Sequence, residues 1–381
     1  MTASSELVVT LAGAESLAPA WDALAEAAGR PYCAPGWLLP WWRHVAPRGS
    51  QLRVVAVREG DELIGLAPFH VFRWRGLPAY SLLGTNLSSR VEPLVREGHA
   101  EEATRAFAAA LAGARPTPAV VHLWGVPAAS RWPERLGEAW PGPPPFVHRR
   151  SSVAAPTVTL GAGDVDAWLR GRSTNFRGQM RRFRRRLEDA GAVFRVTERP
   201  EDVDADLAEF ERLHSLRFAD RGGSDAFPPG AREMLREAGR NLLPSRRFRL
   251  ASIEIDGRPI ASHLFVAAGS EISFWNTGFD DAYGHLRPSY IGLVDAVAAG
   301  FEDGYARLDL GVGEQDYKYR FADSEDQLEW AALIPRTGRS ALARAAYAPD
   351  QLRYAITTRL EPDQKERLRH LANRVRRRKS G

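Results

Sequence analysis

The chain has 381 residues, 44% of them hydrophobic and 26% charged, with a formal net charge of +5 and a single cysteine. The length suits two or three domains of about 150 residues each, and the composition is that of a soluble globular protein. One cysteine, Cys33, excludes an intrachain disulfide and fits a reducing, cytoplasmic setting. The histidines show no metal-ligand spacing, so no metal site is expected. No apolar run of about 18 residues predicts a spanning helix, and the opening segment lacks the basic start and long apolar core of a secretory signal.

In chain order, Leu17 to Ala28 reads as a helix, and Leu52 to Phe69 as two strands joined by a polar turn at Glu59–Asp61. A strand follows near Ala79–Leu83, then a turn at Gly84–Asn86, an Ala-rich helix from Ala100 to Ala112, and a strand from Val120 to Trp124. The segment WPGPPPF, Trp140 to Phe146, is a stiff linker, because its prolines block regular structure. The run RGRSTNFRGQMRRFRRR, Arg170 to Arg186, is a basic cluster that reads either as a polyanion site or as a solvated helix face. Asp204 to Phe218 is a helix, and Phe248 to Phe265 repeats the earlier hairpin without a gap. Arg53 matches Arg249, Val57 Ile253, Ile64 Ile260, and Phe69 Phe265. A tandem duplication is therefore expected. Eight of the eleven tryptophans precede Arg150, which predicts core and interdomain packing by large side chains.

The strand, helix and strand that follow carry the chemistry. Ile272 to Thr277 is β-branched and aromatic, Tyr290 to Glu302 has apolar residues at helical spacing, and Leu308 and Leu310 mark a short strand. A crossover of this length makes the two strands parallel. Ahead of the helix stand Arg287, Pro288 and Ser289, with Gly292 in the first turn. Free backbone N–H groups at such a helix start attract anions. The loop after the second strand gathers Asp309, Glu314, Asp316, Tyr317, Lys318 and Arg320, where parallel sheets place their ligands. Beyond about Arg336, Ala/Arg-rich helices are expected as an appendage on the second half, ending in a basic tail from Lys365 to Lys379. The domain division is then 1–145, 146–335 and a basic helical extension, 336–381.

The second hairpin, the Trp275–Gly278 strand end, Arg-Pro before a helix, Asp309-x-Gly311 and the run Gly313 to Phe321 resemble the CelD-type acyltransferases of the GNAT superfamily, relatives of the FemABX ligases. The resemblance covers roughly Trp21 to Trp330 and implies a mixed α/β fold of tandem GNAT-like domains, each a twisted mixed sheet flanked by helices. It implies an active second half, a degenerate first half, and a split between the strands at Ile272–Thr277 and Arg307–Leu310. The pantetheine arm of acetyl-CoA or another acyl-CoA would enter that split, with its pyrophosphate on Arg287–Gly292. The chain departs from the family pattern in placing Arg287 before the proline and Ser289 where glycine is usual.

Transfer of an acyl group to an amine needs a base, oxyanion donors and an acid for the leaving thiolate. Glu314 is the first expected base and Asp309 the second, though Asp309 could instead orient Lys318 or Arg320. His263 is a further base if it faces the cleft, and Tyr317 is the expected acid. Lys318 and Arg320 would bind a substrate carboxylate or phosphate, with Trp275 beside them. The acceptor would be an amine on a small molecule, sugar or peptide, in polysaccharide or envelope biosynthesis. One alternative is an aminoacyl-tRNA-dependent FemABX-like ligase, with Arg170–Arg186 on RNA phosphates. Another is a non-catalytic protein binding a polyanion or an anionic membrane surface, peripheral at the inner membrane face. No motif for reading a nucleic-acid sequence is present. A tandem unit supplies its own pseudo-dimer, so a monomer or a homodimer is expected.

Overall fold

The computed structural model describes residues 3–218, 224 and 226–358, with no side chains described from 350 to 358. The first half runs β1 (Ser4–Val8), α1 (Leu11–Ser16), α2 (Ala18–Ala27), α3 (Pro35–His44), β2 (Gln51–Glu59), β3 (Glu62–Trp74), β4 (Leu77–Leu82), β5 (Leu94–Val95), α4 (Ala100–Gly113), β6 (Val120–Pro127) and α5 (Trp132–Glu138). The second half runs β7 (Phe146–Thr159), α6 (Val165–Arg170), α7 (Thr174–Asp189), β8 (Val193–Val196), α8 (Val203–Phe218), α9 (Ala231–Leu242), β9 (Phe248–Ile255), β10 (Arg258–Ala268), β11 (Glu271–Phe279), α10 (Pro288–Glu302), β12 (Arg307–Asp309), α11 (Asp316–Tyr319), β13 (Ser324–Ile334) and α12 (Ser340–Thr358).

Among the described residues the strands form one continuous mixed sheet of 13, in the order β1-β2-β3-β4-β6-β13-β7-β12-β11-β10-β9-β8, with β5 paired to β3. The two hairpins expected from the repeat are β2–β3 and β9–β10, both antiparallel. Each is followed by a third antiparallel strand, a helix and a parallel fourth strand: β4, α4 and β6 in the first half, β11, α10 and β12 in the second. The halves are joined by β13, which lies between β6 of the first half and β7.

The cores cross the seam as well. Helices α8 and α9 of the second half place Leu207, Phe210, Met234, Leu235 and Leu242 in the same buried cluster as Trp21, Trp37 and Trp41. The expected packing role of the tryptophans is met there: Trp21, Trp37, Trp41 and Trp132 are all buried. A second cluster packs α6, α7 and α10 on β9–β12, with Phe176, Met180 and Leu187 turned inward and the α7 arginines left outside. Ser173 caps α7 by accepting the Phe176 N–H at 3.2 Å.

The C-terminal extension touches both halves. Helix α12 lies over the seam, with Tyr347 stacked on His148 of β7 and Arg344 over the Phe146 ring of β7. The same Tyr347 stacks on Trp74 with ring centroids 4.5 Å apart, and Arg75 of the first half donates to the Ala346 carbonyl at 2.6 Å. With Ala343 and Tyr347, α12 covers an apolar patch made by Leu77, Ala79, Ala119 and Val120 of the first half together with Ala332 and Ile334 of β13. The basic tail from Lys365 to Lys379 lies outside the described residues. No helix among the described residues is long and apolar enough to cross a membrane.

Candidate active site

Strands β11 and β12 are parallel for three residue pairs, Glu271–Arg307, Ile272–Leu308 and Ser273–Asp309, and then part. Just past the last pair, β11 carries a bulge. Leu264 and Phe265 of β10 face Asn276 and Phe274, leaving Trp275 as the extra residue. Bulges re-aim the backbone at places where a ligand approaches. The chain after β12 turns away from β11, since the N–H groups of Leu310 and Gly313 donate to Pro156 and Ala154 of β7. The gap is therefore left open.

Two cavities occupy it. The first, about 450 Å³, is lined by Arg287, Pro288, Ser289 and Tyr290 at the start of α10, by His263 and Phe274 on the strands, and by Tyr317 and Arg217. The second, about 420 Å³, is lined by Lys318, Gly311 and Val312 of the loop after β12, by Trp275 and Asn276 of β11, and by Thr85 to Ser89 of the first half. Arg217, Phe274 and Tyr317 line both cavities and form the wall between them.

At the start of α10, Arg287 adopts the left-handed conformation (φ 58°) and turns the chain into the helix. Pro288 occupies the first turn, where its missing N–H is no loss. The Ser289 hydroxyl oxygen is buried without a hydrogen-bond partner, an unmet polar group in the wall of the first cavity. A phosphate at this helix start would meet both that hydroxyl and the positive end of the helix dipole. Gly292 has a different task. A Cβ built there would lie 2.3 Å from Cε1 of His263, so this glycine lets α10 settle on the histidine ring and is not part of an anion cradle.

His263 faces the first cavity, but it is 1% exposed and its Nε2 lies 3.2 Å from the Ser289 carbonyl. Burial pulls it down to about 4, so near neutral pH the ring is uncharged. Asp309 is not placed as a base. Its side chain is fully buried, Oδ2 accepts from Nε of Arg90 at 2.7 Å, and Oδ1 accepts the Gly311 N–H at 3.0 Å. Arg90 comes from the first half, and nothing in the local pattern around Asp309 announces it. Glu314 is exposed and lines neither cavity, because the Gly313 N–H is tied to β7 and the chain turns Glu314 outward. Arg320 also stays out of both linings. Its guanidinium sits over the Phe176 and Tyr290 rings, 5.4 and 5.3 Å from their centroids, and donates to Gln179.

Tyr317, Lys318 and Trp275 are brought together. Burial raises the Tyr317 phenol above its usual range, with Arg217 pulling the other way, so it stays protonated and able to donate. Lys318 is 4% exposed, and its Nζ donates to the carbonyls of Gly311 at 2.9 Å and Val312 at 2.7 Å. Burial pulls it down to about 8. The Trp275 indole donates to the Leu87 carbonyl at 2.9 Å and so ties the bulge to the first half.

Arg217, Arg90 and the Thr85–Ser89 wall escape the reading of the sequence. Arg217 looks like any polar position on α8, and the wall comes from a distant turn. Lysine usage does carry a signal. The chain has 52 lysines and arginines but only three lysines, Lys318, Lys365 and Lys379. A lysine kept in so arginine-rich a chain marks a place where the two are not interchangeable. Among the described residues, no group of three or more His, Cys, Asp or Glu side chains is placed to hold a metal ion.

Residues 174–319 match the family model described as an acetyltransferase (GNAT) domain. No curated protein sequence matches the chain. Among solved structures, FemX superposes with a TM-score of 0.62 at 11% identity, covering 90% of this chain and 98% of that one. The C-terminal domain of a putative lysylphosphatidylglycerol synthetase from Agrobacterium fabrum gives 0.56 at 13% identity, covering 87% and 96%. L-PGS from Bacillus licheniformis gives 0.53 at 13% identity, covering 88% and 95%. At these identities the likeness is one of fold.

Proposed function

From a GNAT-type acyltransferase domain within two halves of one plan, we propose an N-acyltransferase with its working site in the second half, 146–335. An activated acyl carrier occupies the first cavity and an amine acceptor the second. The observation that carries this reading is the shared wall. Tyr317, Arg217 and Phe274 stand between the two cavities at the point where β11 and β12 part, so carrier and acceptor meet there. Holding both reactants across one short wall supplies much of the catalysis of a two-substrate transfer. The Tyr317 phenol protonates the departing group, and Arg217 beside it favours the transient negative charge. The half formed by 1–145 serves as scaffold and acceptor wall.

The carrier that fits best is an acyl-CoA, probed as acetyl-CoA, with its phosphates at Arg287–Ser289. Calorimetric titration of the wild type and of Arg287→Ala with acetyl-CoA tests this. Binding that weakens several-fold in the variant is the expected result, and absence of binding by the wild type ends the acyl-CoA reading. A second reading is supported by one specific feature. The exposed arginines of α7, Arg181, Arg182, Arg185 and Arg186, run beside the first cavity, where Arg186 reaches the His285 carbonyl at 3.5 Å. An RNA-borne aminoacyl donor would be held along that face. Retention of bulk tRNA that falls steeply between low and moderate salt would favour it. The narrower resemblance to CelD-type enzymes, with an amino-sugar acceptor in polysaccharide assembly, is kept as the first acceptor class to screen.

A further inference from the structure

Of the residues expected to take a proton from the acceptor, none is placed to do so. Asp309 is locked to Arg90, Glu314 faces outward, and His263 is buried against the Ser289 carbonyl. Lys318 remains, and its surroundings have an order that a simple substrate clamp does not need.

The ammonium lies in the wall of the second cavity, beside Tyr317. It is held by a relay that begins in the first half. Arg90 Nε holds Asp309 Oδ2 at 2.7 Å, and Asp309 Oδ1 fixes the Gly311 N–H at 3.0 Å. The Gly311 and Val312 carbonyls accept from Nζ at 2.9 and 2.7 Å. Gly311 has φ 76°, a conformation that most side chains resist, and this lets its carbonyl and that of Val312 converge. Two carbonyls match the two N–H groups of a neutral amine, which keeps both bonds when it loses its proton and leaves the lone pair to the cavity. The charged groups facing it are Asp309 of β12, which favours the ammonium, and Arg217 of α8, which opposes it. An arginine in this place could not titrate, because a guanidinium does not release its proton in a protein.

We propose that Lys318 is the proton acceptor for the incoming amine and that Arg90, acting through Asp309 and the Gly311–Val312 carbonyls, is its positioning residue. This rests on the reading of the second cavity as the acceptor site. The amine nitrogen attacks the carrier's carbonyl carbon, the C–N bond forms, and the bond to the carrier's sulfur or oxygen breaks. Lys318 takes up the proton lost by nitrogen, and Tyr317 gives its own proton to the leaving atom. Return of a proton from the Lys318 ammonium to the Tyr317 phenolate restores both groups, so protons lost and gained balance. No other reactant is needed. Burial of Lys318, which pulls it down to about 8, keeps a useful fraction neutral under ordinary conditions.

The first test needs no ligand. Protein labelled with carbon-13 at the lysine Cε alone gives three signals at most, and Lys318→Arg identifies the one of interest. The expected midpoint is near 8, whereas a midpoint at about 10.4, that of an ordinary lysine, overturns the proposal. In Asp309→Asn, which keeps the shape of the side chain and removes its charge, the midpoint falls. An unchanged midpoint removes the relay. Arg90→Ala carries the same readout, and should it fail to fold, Arg90→Gln with Asp309→Asn removes both charges together. The second test uses acetyl-CoA with hydroxylamine, which is unprotonated at neutral pH, and with ethanolamine, which is not. Lys318→Arg is expected to lose transfer to ethanolamine at least tenfold more than transfer to hydroxylamine, and equal losses overturn the base role. Failure of the wild type to acylate either probe counts against the acyl-CoA reading and leaves the titration to decide the proposal.

Discussion

Each half of the molecule lets a pair of parallel strands part, and the two gaps have opposite fates. In the first half β4 and β6 pair at Ala79–Val120, Tyr80–Val121 and Ser81–His122; in the second, β11 and β12 pair over the same number of residues. Beyond Ser81 the chain doubles back across the first gap, and the Arg90 N–H donates to the Gly125 carbonyl of β6 at 2.8 Å. Helix α4 then opens with Glu101 and Glu102, which repel a phosphate, whereas α10 opens with Arg287, Pro288 and Ser289. The loop that closes the first gap becomes a wall of the second cavity. Indoles hold it there: Trp37 donates to Ser88 Oγ and Trp41 to Asn86 Oδ1, each at 2.7 Å, and Trp275 donates to the Leu87 carbonyl. A repeated plan can thus close one gap and leave the other open, depending on where the chain goes after the third strand.

Arg90 is the joint between the closed gap and the open one, so cutting it gives the largest effect. Its side chain is 3% exposed, that of Asp309 is fully buried, and a further bond reaches Asp326 at 2.6 Å. Arg90→Ala leaves the buried Asp309 charge uncompensated, and a loss of about 3–5 kcal/mol is expected from chemical denaturation. Arg90→Ala with Asp309→Asn should recover most of that loss. A single variant as stable as the wild type would mean that the halves do not depend on this pair.

Much of this plan was legible in the sequence, and the illegible part has one physical cause. The hairpins at Leu52–Phe69 and Phe248–Phe265, the Ala100 and Tyr290 helices and the parallel strand at Leu308 are set by local periodicity, and each lies where the pattern places it. Tyr317 and Ser289 face the cavities because they lie at a strand end and a helix start, which are also local features. The roles of Asp309, Glu314 and Gly292 were not legible. Asp309 is decided by Arg90, 219 residues away, and Gly292, on α10, by the ring of His263 on β10. That α12 also reaches the first half is illegible for the same reason, since an amphipathic helix does not state which apolar patches will receive it.

That helix offers a change at the seam of the halves, away from both cavities. Tyr347 is 3% exposed, stacks on Trp74 and His148, and covers the apolar patch shared by the two halves. Tyr347→Ala is expected to cost about 3 kcal/mol, the lower end for a large buried aromatic. Carrier binding in the second half should stay within twofold by calorimetry. A loss of binding in step with the loss of stability would show that the two halves unfold as one unit.

The reverse change touches the open gap alone. Tyr317→Phe removes one hydroxyl from the wall between the cavities and leaves the ring in place. A fall in turnover of about a hundredfold is expected if the phenol serves as the acid, with thermal stability close to that of the wild type. Turnover that survives the change would leave protonation of the leaving group to solvent.

The last comparison separates the halves by acidity. In the first half His70, His122 and Trp124 belong to one run of stacked rings, with His70 5.2 Å from Phe72 and His122 4.2 Å from Trp124. Burial pulls His70 down to about 4 and His122 to about 3, and neither nitrogen of His122 has a hydrogen-bond partner. Both values lie below the ordinary 6.5, so below that pH the unfolded chain takes up protons that the folded chain refuses. Stability is therefore full above pH 6.5 and falls as the pH drops toward 4, by about 1.4 kcal/mol per pH unit for each such histidine. In the second half His263, pulled down to about 4, responds with the same sign. Replacing His70 and His122 together by phenylalanine keeps the stacked rings and removes the first half's share. Melting curves from pH 7 to 5 should then show a smaller acid loss than the wild type, with the remainder owed to the second half. An unchanged acid loss would place the acid-sensitive groups entirely around the open gap.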